Sequence, residues 1–326
     1  HPDYRRKGSA PARVNGMHCR RNKRWTWGSG RGARMQNVRA FAGAVLAAFV
    51  ALSASSMAKA ATVTLNGIGF NLVAGSSGSA AGNGYGVVPT SFLMGETEVT
   101  VAKYAEFLNA TQAPNGTYSA TQPITLVGGT YTPNAGFADR PITNVSWFSA
   151  ARFANWLQNG GTTGASTETG AYTLNNQSTT VVARNPGATY FLPSANEWTK
   201  AAYYNPGSST WNLYATNSNT APTASTPNSS NANSANYNNA NAATANVGSY
   251  TLAKSAYDLY DMVGNVAEMT DTSSGNNVIR TGGNWSQLSI PTSSTTLTFG
   301  SATVANDNLG FRVAAVPEPG TIALAG

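Results

Sequence analysis

The residues of this chain best suited to chemistry are two carboxylates, Asp261 and Glu268, which bracket a short glycine-containing stretch, DMVGNVAE. Their types and spacing admit two readings. They are oxygen ligands on a tight loop for a hard cation such as calcium or magnesium, or they are isolated acids that cap turns and meet solvent.

What the rest of the chain lacks narrows the choice. His1, His18 and Cys19 are every histidine and every cysteine in the sequence, and all three lie in the first 60 residues. From residue 61 onward there is no thiolate nucleophile, no imidazole base, no disulfide and no soft metal ligand. Ser-His-Asp and Cys-His catalysis, structural zinc and copper-thiolate centres are thereby excluded. Oxygen is what remains for binding a metal.

The first 60 residues read as a leader. Residues 1–34 are crowded with Arg and Lys and precede Met35, which opens a secretory signal over residues 35–60: a basic MQNVR, an apolar AFAGAVLAAFVALSA too short to span a bilayer comfortably, and Ala58-Lys59-Ala60 as a small-x-small cleavage pattern. Residues 1–34 are accordingly expected to be a non-native extension; the competing reading is a basic nucleic-acid-binding arm. The leader holds 12 of the 20 Lys and Arg residues and, in Asp3, one of the 13 acids. The remainder has 8 basic and 12 acidic side chains, a net charge of −4, so the formal +7 of the whole chain carries no functional message. No basic surface for nucleic acid is expected after residue 60.

Elements that would position the two carboxylates are marked locally. TVTL and IGFNL alternate on either side of Asn66-Gly67, the pair that best supports a type I′ hairpin turn. Thr100 caps a predicted helix whose apolar face is Val101, Tyr104, Ala105 and Leu108. Ser146 caps a second, with Ala150, Phe153, Ala154 and Leu157, and Ser194 with Glu197 forms a capping box for a third through Trp198, Ala201 and Ala202. Residues 206–246 are poor in apolar side chains and rich in Asn, Ser, Thr and Ala, which predicts a long surface insertion. Short helices and scattered strands joined by long loops give an α+β chain. Trp147, Trp156 and Trp198 are expected in its core, and Arg280 and Arg312 are expected to tie loops to the fold through bidentate hydrogen bonds.

These segments resemble, in order, the signatures of the formylglycine-generating-enzyme (sulfatase-modifying-factor) family: GETEVTVAKYAEFLNA, RPITNVSWFSAARFANWL, YFLPSANEWTKAAYY, YDLYDMVGNVAEMTD, VIRTGGNWS and LGFRVA. The resemblance implies one domain over residues 61–315 with the family's C-type-lectin-like α+β fold and little regular secondary structure. It also implies a structural Ca2+ held by the side chains of Asp261 and Glu268 and the main-chain oxygens of Gly264 and Val266. A second calcium of the family corresponds to ANYNNANAATANVGSY, where Asn236 offers an amide oxygen and Tyr237 its carbonyl, with the family's aspartate falling near Asn239 or Asn241.

The departures from the family bear on catalysis. Its enzymes oxidise a substrate cysteine with copper held by two cysteines, and those positions fall close to Gln287 and Thr292 here, so no copper is expected. The family's Trp-Glu-Trp pattern reads Ala267-Glu268-Met269. At the C-terminus, VPEPGT at residues 316–321 resembles the start of a PEP-CTERM sorting signal read by an exosortase in Gram-negative bacteria; residues 316–326 hold only its first part. The expectation is a secreted or envelope-sorted, non-catalytic, calcium-stabilised domain that binds exopolysaccharide or a cell-surface protein. The alternative is an oxidoreductase of the same type acting on protein substrates by a cysteine-independent mechanism.

Overall fold

A computed structural model describes residues 62–114, 116–227, 230–289 and 293–317. The expected extension, signal peptide and most of the sorting motif lie outside these residues, as does Thr292.

The first hairpin forms as its turn chemistry dictates. β1 (Val63–Leu65) and β2 (Ile68–Val73) pair antiparallel with Leu65 opposite Ile68. Asn66 and Gly67 both take positive φ, 49° and 71°, as a type I′ turn requires. β3 (Phe92–Gly95) extends this sheet and leads into α1 (Val101–Thr111), where Thr100 accepts a hydrogen bond from the Lys103 N–H. A small hairpin follows, β4 (Ile124–Val127) with β5 (Thr130–Pro133). Next is α2 (Trp147–Gln158), capped by Ser146, with its residues buried from Trp147 through Leu157.

After β6 (Tyr190–Phe191), α3 (Ala195–Tyr203) begins at the predicted capping box. The Ser194 hydroxyl accepts from the Glu197 N–H at 3.2 Å, and Glu197 Oε2 accepts from the Ser194 N–H at 2.6 Å. Short strands carry the chain through the Asn-rich region: β7 (Tyr204–Asn205), β8 (Thr210–Trp211), β9 (Thr223–Ala224) and β10 (Ser234–Ala235). The expectation of a surface insertion over residues 206–246 fails at Ser234–Tyr237, which are buried. Composition misled there because β9 and β10 pair with each other and Asn236 pairs with Gly264, so polar residues are drawn inward by backbone hydrogen bonds.

The last part supplies β11 (Ala267–Ser274), β12 (Asn277–Thr281), β13 (Thr298–Ser301), β14 (Leu309–Gly310) and β15 (Ala314–Ala315). Two sheets organise the fold. One has the order β1-β2-β3-β15-β6, the other β13-β12-β11-β14, with β14 parallel to β11. β15 returns between β3 and β6, so a strand late in the chain joins two earlier ones in one sheet.

Aromatic packing holds α1, α2 and the β14–β15 connection together. Phe107, Phe153 and Trp156 meet at centroid distances of 5.4–5.6 Å, and Phe311 packs on Phe153 at 5.4 Å. Trp147, Trp156 and Trp198 are all fully buried, as expected, and each indole N–H finds an acceptor: Thr270 O, Thr162 O and Glu268 Oε2. No helix among the described residues is long and apolar enough to cross a membrane.

Candidate functional site

Residues 261–268 form an irregular loop that runs into β11. Asp261, Gly264 and Asn265 have φ of 55°, 78° and 58°, a left-handed conformation open to glycine and tolerated by Asp and Asn. At Gly264 the space is also required: a Cβ there would stand 2.3 Å from the Asn236 carbonyl oxygen. Gly264 N–H donates to Gly282 O at 2.8 Å and Asn265 N–H to Asn236 O at 2.9 Å, which fixes the loop between the Asn236 segment and the end of β12.

Glu268 points into the interior and is fully buried. Arg312 grips it bidentately, Nη2 to Oε1 and Nε to Oε2, each at 2.6 Å, and Trp198 Nε1 donates to Oε2 at 2.7 Å. The remaining Arg312 donors reach Gly95 O and Tyr260 O, both at 3.0 Å. Arg312 thus joins β3, the loop and β11, the tying role expected of it.

Asp261 is 6% exposed, and its Oδ2 accepts the Gly248 N–H at 2.6 Å. Burial pushes its carboxyl up to about 6 against the opposing effects of that hydrogen bond and of Arg312. A third carboxylate, Glu98, belongs to the same cluster. Burial first, then the charges of Asp261 and Glu268, hold it well above the usual carboxylate range. Its Oε1 accepts from Asn265 Nδ2 at 3.0 Å, while Oε2 is buried without a partner. Asn265 is the hub: its Oδ1 accepts from Asn236 Nδ2 at 3.2 Å and from the Ala245 N–H at 2.9 Å.

The two carboxylates of the loop therefore meet different partners, Asp261 a backbone N–H and Glu268 a guanidinium. Among the described residues no group of three or more His, Cys, Asp or Glu side chains is gathered as a metal cluster. Two observations bear the other way. Three buried carboxylates face one guanidinium, and two buried oxygens, Glu98 Oε2 and Asn236 Oδ1, are unpaired. An all-oxygen donor set is the chemistry that calcium takes. At the second expected site, Asn236 Nδ2 donates to Ala243 O at 2.9 Å, and the Tyr237 carbonyl already accepts the Ala240 N–H at 3.1 Å in a turn.

Glu98 and Asn265 were not singled out from sequence. Each stands among apolar neighbours, Glu98 before Val99 and Val101 and Asn265 before Val266, and a polar residue in that setting is the signal that was available.

Two open clefts lie near Gln287, which lines the first of them. The first, about 440 Å³, sits on the sheet over Ala267, Arg280 and Thr298 and is bounded by Asn284, Ser286, Gln287, Asn306 and Asn308. The second, about 360 Å³, is lined by Gln122, Asn134, Phe137, Arg140, Trp285 and Asp307, among others. One partition separates them. Residues 284 and 286 face the first cleft and 285 the second; 306 and 308 face the first and 307 the second. Trp285 Nε1 donates to Asp307 O, and Asn308 Nδ2 to Ser286 Oγ, each at 3.3 Å, so the two segments brace one another. Ala267 contributes no ring to the first cleft, whose aromatic side chain among the described residues is Phe299. The Arg280 guanidinium makes one hydrogen bond among the described residues, Nη2 to Ser301 O at 2.8 Å, instead of the bidentate tie expected.

The family of sulfatase-modifying factor enzyme 1-like domains matches residues 48–316. Among solved structures, Treponema denticola variable protein 1 superposes with a TM-score of 0.52 at 23% identity, over 79% of this chain and 99% of that one. CarF gives a TM-score of 0.52 at 22% identity, over 77% and 99%. At these identities the likeness concerns the fold alone, and no curated protein matches the sequence. The chain belongs to the sulfatase-modifying factor enzyme 1-like domain family.

Proposed function

We propose that this chain is a secreted or envelope-sorted, non-catalytic member of its family whose surface clefts bind an exopolysaccharide or a cell-surface protein. One observation carries the reading. Close to where the resemblance puts a copper-binding thiolate stands Gln287, on the rim of a cleft whose amides and hydroxyls are interleaved with Ala267, Phe299 and Leu309, and the chain after residue 60 has neither cysteine nor histidine. Amides and hydroxyls both donate and accept hydrogen bonds, which suits a polar ligand and does not activate a thiol. The C-type-lectin kinship of the fold, the signal peptide over 35–60, and sorting by an exosortase in a Gram-negative envelope belong to the same reading and rest on the sequence.

In the buried loop the role is structural. A Ca2+ ion would be held chiefly by the Asp261 carboxylate and by main-chain oxygens of Gly264 and Val266, with the Glu268 charge shared with Arg312. Excess buried negative charge and the two unpaired oxygens support this assignment. When bound, the ion supplies positive charge to the cluster and crosslinks a loop-rich domain that has no disulfide.

Retention of the purified chain on immobilised exopolysaccharide and on a cell-surface protein fraction of the producing bacterium tests the binding role. Retention by one of them in calcium-containing buffer is expected; passage through both leaves a purely architectural domain.

A further inference from the structure

Arginine usage separates the two clefts from the rest of the domain. Arg152 pairs with Glu168 at 2.6 Å, Arg184 with both Glu197 and Asp271 at 2.7 Å, and Arg312 with Glu268. Among the described residues, Arg140 and Arg280 are the arginines without a carboxylate partner, and each lines one of the two clefts. In both, Nε is buried with no hydrogen-bond acceptor. Among the described residues Arg140 Nη1 and Nη2 and Arg280 Nη1 also make no hydrogen bond, and a half-buried guanidinium with open Nη donors on the wall of a cleft is a docking point for an anion, whose carboxylate form its planar fork matches.

Arg280 is also held in place. Its guanidinium lies against the β13 backbone at Gly300, where an added Cβ would come within 2.2 Å of Cζ, and Ser301 O anchors Nη2. Among the described residues no acidic side chain lines that cleft. Arg140 is braced by the Phe137 ring, 4.5 Å from Cζ, and its cleft contains one carboxylate, the exposed Asp307.

Around the two arginines, half of the lining residues carry an amide or a hydroxyl. The side-chain amides of Gln287 and Asn306 make no hydrogen bond among the described residues, so they remain available to a ligand. Side chains that donate and accept equally match the hydroxyls of a sugar ring. The first cleft adds apolar surface from Ala267, Leu309 and the exposed Phe299 ring, the kind of face against which the C–H side of a sugar ring packs. The geometry points to a carboxylate-bearing polysaccharide, a chain of hexuronate residues, as the ligand of the paired clefts. Arg280 and Arg140 take carboxylates on either side of the Trp285–Asp307 partition. This deepens the exopolysaccharide reading above and rests on it.

Calorimetric titration of the purified chain with a galacturonate hexamer, with the same hexamer methyl-esterified, and with a poly-glutamate peptide tests the inference. The acid hexamer should bind at least about tenfold more tightly than the ester, and Arg280→Gln and Arg140→Gln should each weaken it about tenfold, the scale of one charge-assisted contact. Gly300→Ala should reproduce the Arg280→Gln loss with an unchanged melting temperature, because it displaces the guanidinium and leaves the sheet intact. Lys103→Gln, whose partner is Glu106 on α1, should change nothing. Equal binding of ester and acid would overturn carboxylate recognition and leave polysaccharide binding standing. Binding of neither, with the exopolysaccharide also failing, would remove both. Arg280-dependent binding of poly-glutamate as tight as that of the hexamer would overturn the sugar class.

Discussion

Arg312 and Glu268 form a closed pair: two parallel hydrogen bonds of 2.6 Å, with the arginine at 0% and the glutamate at 1% side-chain exposure. Such a pair holds β11 to β3 through the Gly95 carbonyl and leaves neither charge free for solvent. Breaking one side strands the other charge in the interior, which costs about 3–5 kcal/mol. Arg312→Met and Glu268→Leu should therefore each destabilise the domain by about that amount in urea denaturation. The double variant should lose clearly less than the sum of the two. Additive losses would show that the two side chains are stabilised separately by Trp198, Gly95 and Tyr260.

Gly264 makes a second, sharper demand. Its φ of 78° and the Asn236 oxygen 2.3 Å from any Cβ act together, whereas Gly275, at 59°, has open space around it. Gly275→Ala should cost the left-handed penalty alone, about 1–2 kcal/mol. Gly264→Ala should cost distinctly more, because the Asn236–Gly264 bridge must open as well. Thermal melts of both variants give the comparison, and equal losses would mean that the close approach relaxes freely.

Local signals carried the reading of the helices and the first hairpin. Thr100, Ser146 and the Ser194–Glu197 box each satisfy N–H groups of their own helix, and Asn66-Gly67 fixes its own turn, so three or four neighbouring residues contain the information. Arg312 was legible as a tie for the same reason that its partner was not: an arginine in GFR announces a need for acceptors, but Glu268 and Gly95 are brought to it by tertiary packing. The burial of Ser234–Tyr237 was hidden because an Asn-rich stretch becomes interior only once Asn236 reaches Gly264 and Asn265. The valines after Glu98, Val99 and Val101, mark a buried segment, but the link of Glu98 to Asp261 spans most of the domain and leaves no trace in spacing.

Chemistry offers a direct check on the non-catalytic reading. Oxidation of a peptide cysteine by the family's route needs copper held by two thiolates, and Gln287 offers an amide in that neighbourhood. The purified chain should leave a cysteine-containing sulfatase-type peptide unmodified, with or without added copper, as read by mass spectrometry. Conversion above the protein-free control that disappears on unfolding would restore the oxidoreductase alternative.

Asp261 decides between an ion and a proton as the answer to the buried negative charge. With its carboxyl raised to about 6 by burial, the folded state binds more protons than the unfolded state between the ordinary value of 3.8 and about 6. In chelator, stability should therefore fall as pH rises through that window, with Glu98 extending the fall upward. Calcium should reverse it above pH 6. An ion bound to the folded state alone adds about 2.7 kcal/mol at a hundred times its dissociation constant, a melting shift of a few degrees for a domain of this size. Asp261→Asn keeps an acceptor for the Gly248 N–H and removes the charge. It should melt higher than the parent in chelator at pH 7.5 and gain little from calcium. Glu106→Gln, on the exposed face of α1, should follow the parent in both buffers. If the parent melts identically with calcium and with chelator from pH 5 to 8, no ion is bound, and protonation of Glu98 and Asp261 alone balances the cluster.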